Sequence, residues 1–123
     1  MILIPRSVRI YVATTPVSLR KSFEGLSNEV RTVLAKDPIS GHVFLFLNRR
    51  GTQVKLLLWT RGGFTILHKR LERGQFTLPS KVSAASTHVE IETHELAMLL
   101  EGLVESPARG ASRWSPSLAA MAR

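Results

Sequence analysis

The stretch HVFLFLNRRGTQVKLLLWTRGGFTILHKRL, residues 42–71, decides the fold. It holds three apolar runs, at 42–48, 53–60 and 64–71, rich in β-branched and aromatic residues. Two short loops divide them, Arg49-Arg50-Gly51-Thr52 and Arg61-Gly62-Gly63. Loops this short leave no room for a crossover, so the three runs are expected to pair as an antiparallel meander. Side chains alternate between the faces of a strand. In the second run Val54, Leu56 and Leu58 point one way, and Lys55, Leu57 and Trp59 the other. In the first, Val43, Leu45 and Leu47 oppose Phe44 and Phe46. A sheet with one solvated face would show polar residues on that face. Here both faces are apolar, so something must cover both. Two short helices, a dimer mate or another protein would each suffice, and Phe44, Phe46 and Trp59 are the candidate partner interface.

Outward from the meander, Val8-Arg9-Ile10-Tyr11-Val12-Ala13-Thr14 reads as a strand. A helix then opens at Pro16 or Ser18 and runs to Ala35. Leu19, Phe23, Leu26, Val30, Val33 and Leu34 form its apolar stripe, with Arg20, Lys21, Asn28 and Arg31 opposite. Asp37-Pro38-Ile39-Ser40-Gly41 is turn chemistry. On the other side of the meander, residues 72–79 turn away and are expected to add a short edge piece. Residues 80–87 read as a polar linker and Val89-Glu90-Ile91 as a strand. Thr93 caps a helix from His94 to about Gly102, with Glu95 in its first turn and Leu96, Leu99, Leu100 and Leu103 on one face. The expected fold is α+β, an antiparallel sheet of four to five strands with two helices, in one domain over 1–105. Residues 106–123, Ala, Ser, Pro and Arg around Trp114, read as a disordered tail.

The chain has 123 residues, 44% of them apolar, enough for one core without metal or disulfide support. It has no cysteine, which excludes disulfide scaffolds and thiolate metal sites and suits a reducing cytoplasm. No apolar run approaches the ~18 residues of a membrane span. The apolar start, Met1 to Ile4, is too short for a signal peptide. The formal charge is +8, unevenly placed. Residues 1–79 carry 13 Lys/Arg against four Asp/Glu, residues 80–105 one Lys against five Glu, and the tail three more Arg. A basic body suggests a polyanion partner.

No catalytic, metal or cofactor motif appears. There is no phosphate-binding Gly loop, paired-His spacing or nucleophile elbow. Two-metal DNA cutting needs carboxylates that converge on the ions. Glu24 and Glu29, five apart on a helix, diverge by about 140°. The basic groups, by contrast, cluster. Arg49 and Arg50 sit at the first hairpin tip, Lys69 and Arg70 end the third run, and Arg73 follows. Meander geometry brings all five to one end of the sheet. Arg20 and Lys21, in the first helical turn, join them, where exposed amides would favour a phosphate. Lys55, on the same face of the second run as Trp59, is a further candidate contact, and the Trp59 ring could stack a base. The plain alternative is a solvated rim whose charges block edge-to-edge pairing.

These motifs resemble a known family. Val17-Ser18-Leu19-Arg20-Lys21-Ser22-Phe23-Glu24-Gly25-Leu26 is similar to the first helix of the TnpB-type accessory proteins of insertion sequences of type sixty-six. Asp37-Pro38, Ser40-Gly41-His42-Val43-Phe44 and Phe46-Leu47-Asn48-Arg49-Arg50-Gly51 follow in order. So do Lys55-Leu56-Leu57, Trp59, Gly63-Phe64 and Lys69-Arg70-Leu71-Glu72-Arg73-Gly74-Gln75-Phe76. The match runs from Val8 to Pro79, with a weaker one over Leu96 to Gly102. The family often carries Asp where this chain has Ser18 and Thr60, and its ending is replaced here after Gly102. The resemblance implies a non-catalytic bacterial protein of the cytoplasm and nucleoid. It would assist transposition beside a separate transposase, with DNA and the transposase as partners and homo-oligomerisation a further option. Two rival readings stand beside it. One is a small metal-independent ribonuclease using His68 and Glu72. The other is a pure protein-bridging module without DNA contact.

Overall fold

In the computed structural model, which describes residues 7–77 and 86–102, the meander forms as its loops dictate. β2 (Val43–Leu47), β3 (Gln53–Thr60) and β4 (Gly63–Arg70) pair antiparallel, Leu45 facing Leu56 and Leu56 facing Leu67. β1 (Ile10–Ala13) lies beside β2 and β5 (His88–Ile91) beside β1, giving the order β4-β3-β2-β1-β5. The class is α+β and the sheet is mostly antiparallel. Among the described strands only the β1–β2 pair is parallel, with Ile10 opposite Val43 and Val12 opposite Leu45. α1 (Phe23–Thr32) lies in the long connection between those two strands, the length that a parallel crossover requires.

The two apolar faces are covered by the chain's own helices. Tyr11, Ala13, Phe44, Phe46 and Leu57 pack against Leu26, Val30 and Leu34 of α1 and its C-terminal turn. Ile10, Val12, Val43, Leu45, Val54, Leu56 and Ile91 pack against Leu96 and Leu99 of α2 (Thr93–Leu100) and against Phe76. Phe44 and Phe46 are wholly buried. They are therefore core, not a partner surface, because α1 occupies the face they were expected to offer. Trp59 is half-buried, edge-on to Phe64 with ring centroids 5.0 Å apart.

Several boundaries move. α1 starts at Phe23 rather than at Pro16 or Ser18, because Val17 N–H donates to Leu47 O (3.0 Å) and so holds this segment against the end of the central strand β2. Arg20 and Lys21 thus stand in a turn ahead of the helix, closed by Lys21 N–H to Ser18 O (3.1 Å). Phe23 and Val33, expected in the buried stripe, are 46% and 41% exposed; they sit at the helix's first residue and its C-cap. Residues 72–77 form no strand, although Phe76 is buried and its N–H donates to Gly51 O (2.7 Å). α2 is capped by Glu92 rather than Thr93. Its carboxylate accepts from the N3 amide, and Glu92 N–H donates to Glu95 (2.7 Å), so two orphan amides at the helix N-terminus are satisfied. The tail, Leu103, Leu78 and Pro79, and linker residues 80–85 lie outside the described residues.

Candidate nucleic-acid interface

Because β1 and β2 run parallel, three segments meet at one end of the sheet: the exit of β1, the β2–β3 tip and the end of β4. The tip is tightly held. Asn48 Oδ1 accepts from the amides of Thr52 (2.9 Å) and Gln53 (3.0 Å), and its Nδ2 donates to Thr52 Oγ1 (3.1 Å). Gly51 takes a positive φ of 72°, which a side chain would strain. Gln53 faces Arg70, Leu71 N–H donates to Thr52 O (2.9 Å), and Gln75 Nε2 donates to Arg50 O (2.7 Å). Arg49, Arg50, Lys69, Arg70 and Arg73 are therefore gathered at this end, and the turn carrying Arg20 and Lys21 is tied to it through Val17.

The eight basic side chains singled out from the sequence divide by chemistry. The lysines are engaged within the protein. Lys55 Nζ donates to Lys21 O (2.9 Å), Lys21 Nζ lies 3.9 Å from Glu29, and Lys69 Nζ donates to Leu100 O at the end of α2. The Lys21 stem crosses Gly25 so closely that a Cβ there would stand 2.9 Å from Lys21 Cβ. Arg70 approaches Glu72 at 3.9 Å, a solvated pair worth little. Arg20, Arg49, Arg50 and Arg73 are exposed and form no ion pair with another described residue. An open cleft of about 510 Å³ separates residues 16–20 from Asn48, Arg49 and Gln53. Arg20 and Arg49 both line it, and none of its lining residues is acidic.

His68 stands on β4 opposite Lys55 and shares its Nε2 proton with Gln53 Oε1 (2.8 Å). Partial burial, then the neighbouring charges of Lys55 and Arg70, push its pKa below the usual histidine value of 6.5. Glu72 turns to Arg70, and no contact joins it to His68. Among the described residues no group of three or more His, Cys, Asp or Glu could hold a metal, and no helix is long and apolar enough to cross a membrane. Reading the sequence missed the cleft, the Asn48 anchor and the Gln53–His68 bond. Only Asn48 carried a signal, since Asn three residues ahead of Gly is side-chain-capped turn chemistry.

Comparison with known proteins gives a consistent result. The profile of the family described as IS66 Orf2 like protein matches residues 8–109. Two uncharacterized proteins of Sinorhizobium fredii (strain NBRC 101917 / NGR234) are similar. The chain is 34% identical to y4hO over 99 residues, covering 80% of this chain and 83% of that protein. It is 35% identical to y4jC over 98 residues, covering 80% and 81%. No solved structure matches significantly.

Proposed function

The chain belongs to the IS66 Orf2-like family, and from that premise we propose that it is a non-catalytic accessory protein of an insertion sequence that assists transposition by binding DNA phosphates beside a separate transposase. The observation that carries this reading is the split between lysines and arginines. Four arginines stand at one end of the sheet without an internal counter-charge from the described residues. Guanidinium groups suit phosphate geometry and are weakly hydrated, so they give up water readily to a backbone. Phosphate contacts position a protein without conveying sequence, and neither described helix, α1 or α2, carries a basic face for a major groove. The acids support a non-catalytic role, since Glu29 and Glu72 face cations of the protein rather than each other.

Isothermal titration of the full chain with duplexes carrying the element end and scrambled sequence, at several salt concentrations, tests this. Three to four phosphate contacts predict a slope of log affinity against log salt of roughly −3 to −4, alike for both duplexes. A slope near zero would favour the bridging module, with the arginines facing an acidic protein. Co-purification with the transposase, with and without element-end DNA, tests the second partner.

A further inference from the structure

The cleft between residues 16–20 and the β2–β3 tip differs from the rest of the basic surface in being built. One wall is fixed by Val17 N–H on Leu47 O (3.0 Å), the other by the three hydrogen bonds of Asn48. Arg20 stands on the first wall and Arg49 on the second, so two positive charges face one space from rigid supports. Like charges on opposite walls repel unless an anion lies between them. Among the described residues neither has a carboxylate partner, and no acid lines the cleft. Gln53 adds a donor. Its Oε1 is held by His68, which leaves its amide nitrogen without a partner among the described residues. At about 510 Å³ the space is of ligand-site size, enough for a phosphate with part of its flanking sugar.

We propose that this cleft seats one phosphodiester phosphate of DNA, clamped from two sides by Arg20 and Arg49, while Arg50 and Arg73 touch other phosphates. The proposal rests on the DNA-binding reading above and gives it a fixed point. A charged patch would hold a duplex in many positions; a clamp with preset walls holds one phosphate in register and sets where the rest of the protein, and its partners, stand along the backbone.

A double-variant cycle on the full chain, read by DNA titration at constant salt, tests it. Arg20→Ala and Arg49→Ala should each weaken binding by about tenfold, the scale of one charge-assisted contact. The double variant should bind little worse than either alone, because one phosphate is shared. Arg20→Ala combined with Arg73→Ala should be additive. In parallel, inorganic phosphate added to the isotope-labelled chain should shift the Arg20 and Arg49 Nε–H resonances together, well beyond that of Arg61 on the opposite turn. Additive loss in the Arg20/Arg49 cycle, or equal phosphate shifts at Arg61, would overturn the clamp while leaving DNA binding intact. A wild-type chain that binds no DNA would overturn the functional reading as well.

Discussion

The two ends of the sheet differ in how many cations they leave without an internal partner among the described residues. At the end where β3 turns into β4, Arg61 is exposed and forms no ion pair with another described residue, but the two neighbouring cations are engaged inside the molecule. Arg9 meets Glu90 through two contacts of 3.2 and 3.3 Å, and Lys36 lies 4.6 Å above the Tyr11 ring. At the other end the lysines are matched but four arginines are not. The difference teaches that high net charge alone does not mark a binding surface. Leaving several cations without internal partners raises the potential there, and it persists only because solvent or a partner screens it. The contrast therefore converts a composition-level hint into a located one.

The largest test of that contrast is reversal of the tip. Arg49→Glu with Arg50→Glu should flatten the salt slope by about two units and weaken DNA binding by about thirtyfold or more at physiological salt, alike for all sequences. Arg9→Gln, which removes a cation from the opposite end, should leave affinity within about twofold. Equal losses from both changes would mean that overall charge, not the end, matters. Next in size is Gly51→Ala. Its φ of 72° strains any side chain, and a Cβ there meets Gln75 only at an ordinary 3.7 Å, so the cost is conformational, about 1–2 kcal/mol by urea denaturation. Loss of DNA affinity beyond the loss of stability would show that the tip's shape positions Arg49.

Much of this was legible in the sequence where interactions are local. The β2–β3–β4 meander follows from two short loops, and with it the gathering of Arg49, Arg50, Lys69, Arg70 and Arg73 at one end. What was not legible depends on distant partners. Nothing within β1 or β2 announces that they pair parallel, because the connection of residues 14–42 permits more than one arrangement. The helix start shifted because Leu47, thirty residues on, takes the Val17 amide. Phe44 and Phe46 looked like partner surface because an apolar strand face does not say whether a helix of the same chain or a second protein covers it. Lys21, Lys55 and Lys69 looked equivalent to the arginines, since the carbonyls that engage Lys55 and Lys69 come from segments over thirty residues away.

That last distinction sets a third expectation. Lys55→Met keeps the stem but removes the bond to Lys21 O, so stability should fall by about 1 kcal/mol. The salt slope should change by much less than one unit, because the ammonium is engaged internally. Arg20→Ala should do the reverse, lowering the slope by nearly one while leaving the melting temperature almost unmoved. If Lys55→Met weakens DNA binding as Arg20→Ala does, lysines and arginines belong to one undifferentiated patch.

The smallest expected effect compares two histidines at the same end of the sheet but on its opposite edges, His68 on β4 and His88 on β5. His68 and His88 both have pKa values lowered from 6.5, first by partial burial and then by cations, Lys55 and Arg70 for His68 and Lys36 for His88. A lowered folded-state value means that the unfolded chain takes up protons more readily. The stability these groups contribute is therefore complete above about pH 6.5 and declines as pH falls through that value toward the folded-state pKa. Melting temperature should drop modestly between about pH 7.5 and pH 5.5, and less in His68→Gln. DNA acts on one histidine only. A phosphate held near Gln53 would offset the charges of Lys55 and Arg70, so the His68 pKa should rise on binding while His88, against Tyr11 with a ring separation of 5.4 Å, stays where it is. Imidazole resonances followed across pH, with and without duplex, read this directly. Parallel shifts of both histidines, or none at His68, would show that the anion does not sit in the cleft beside Gln53.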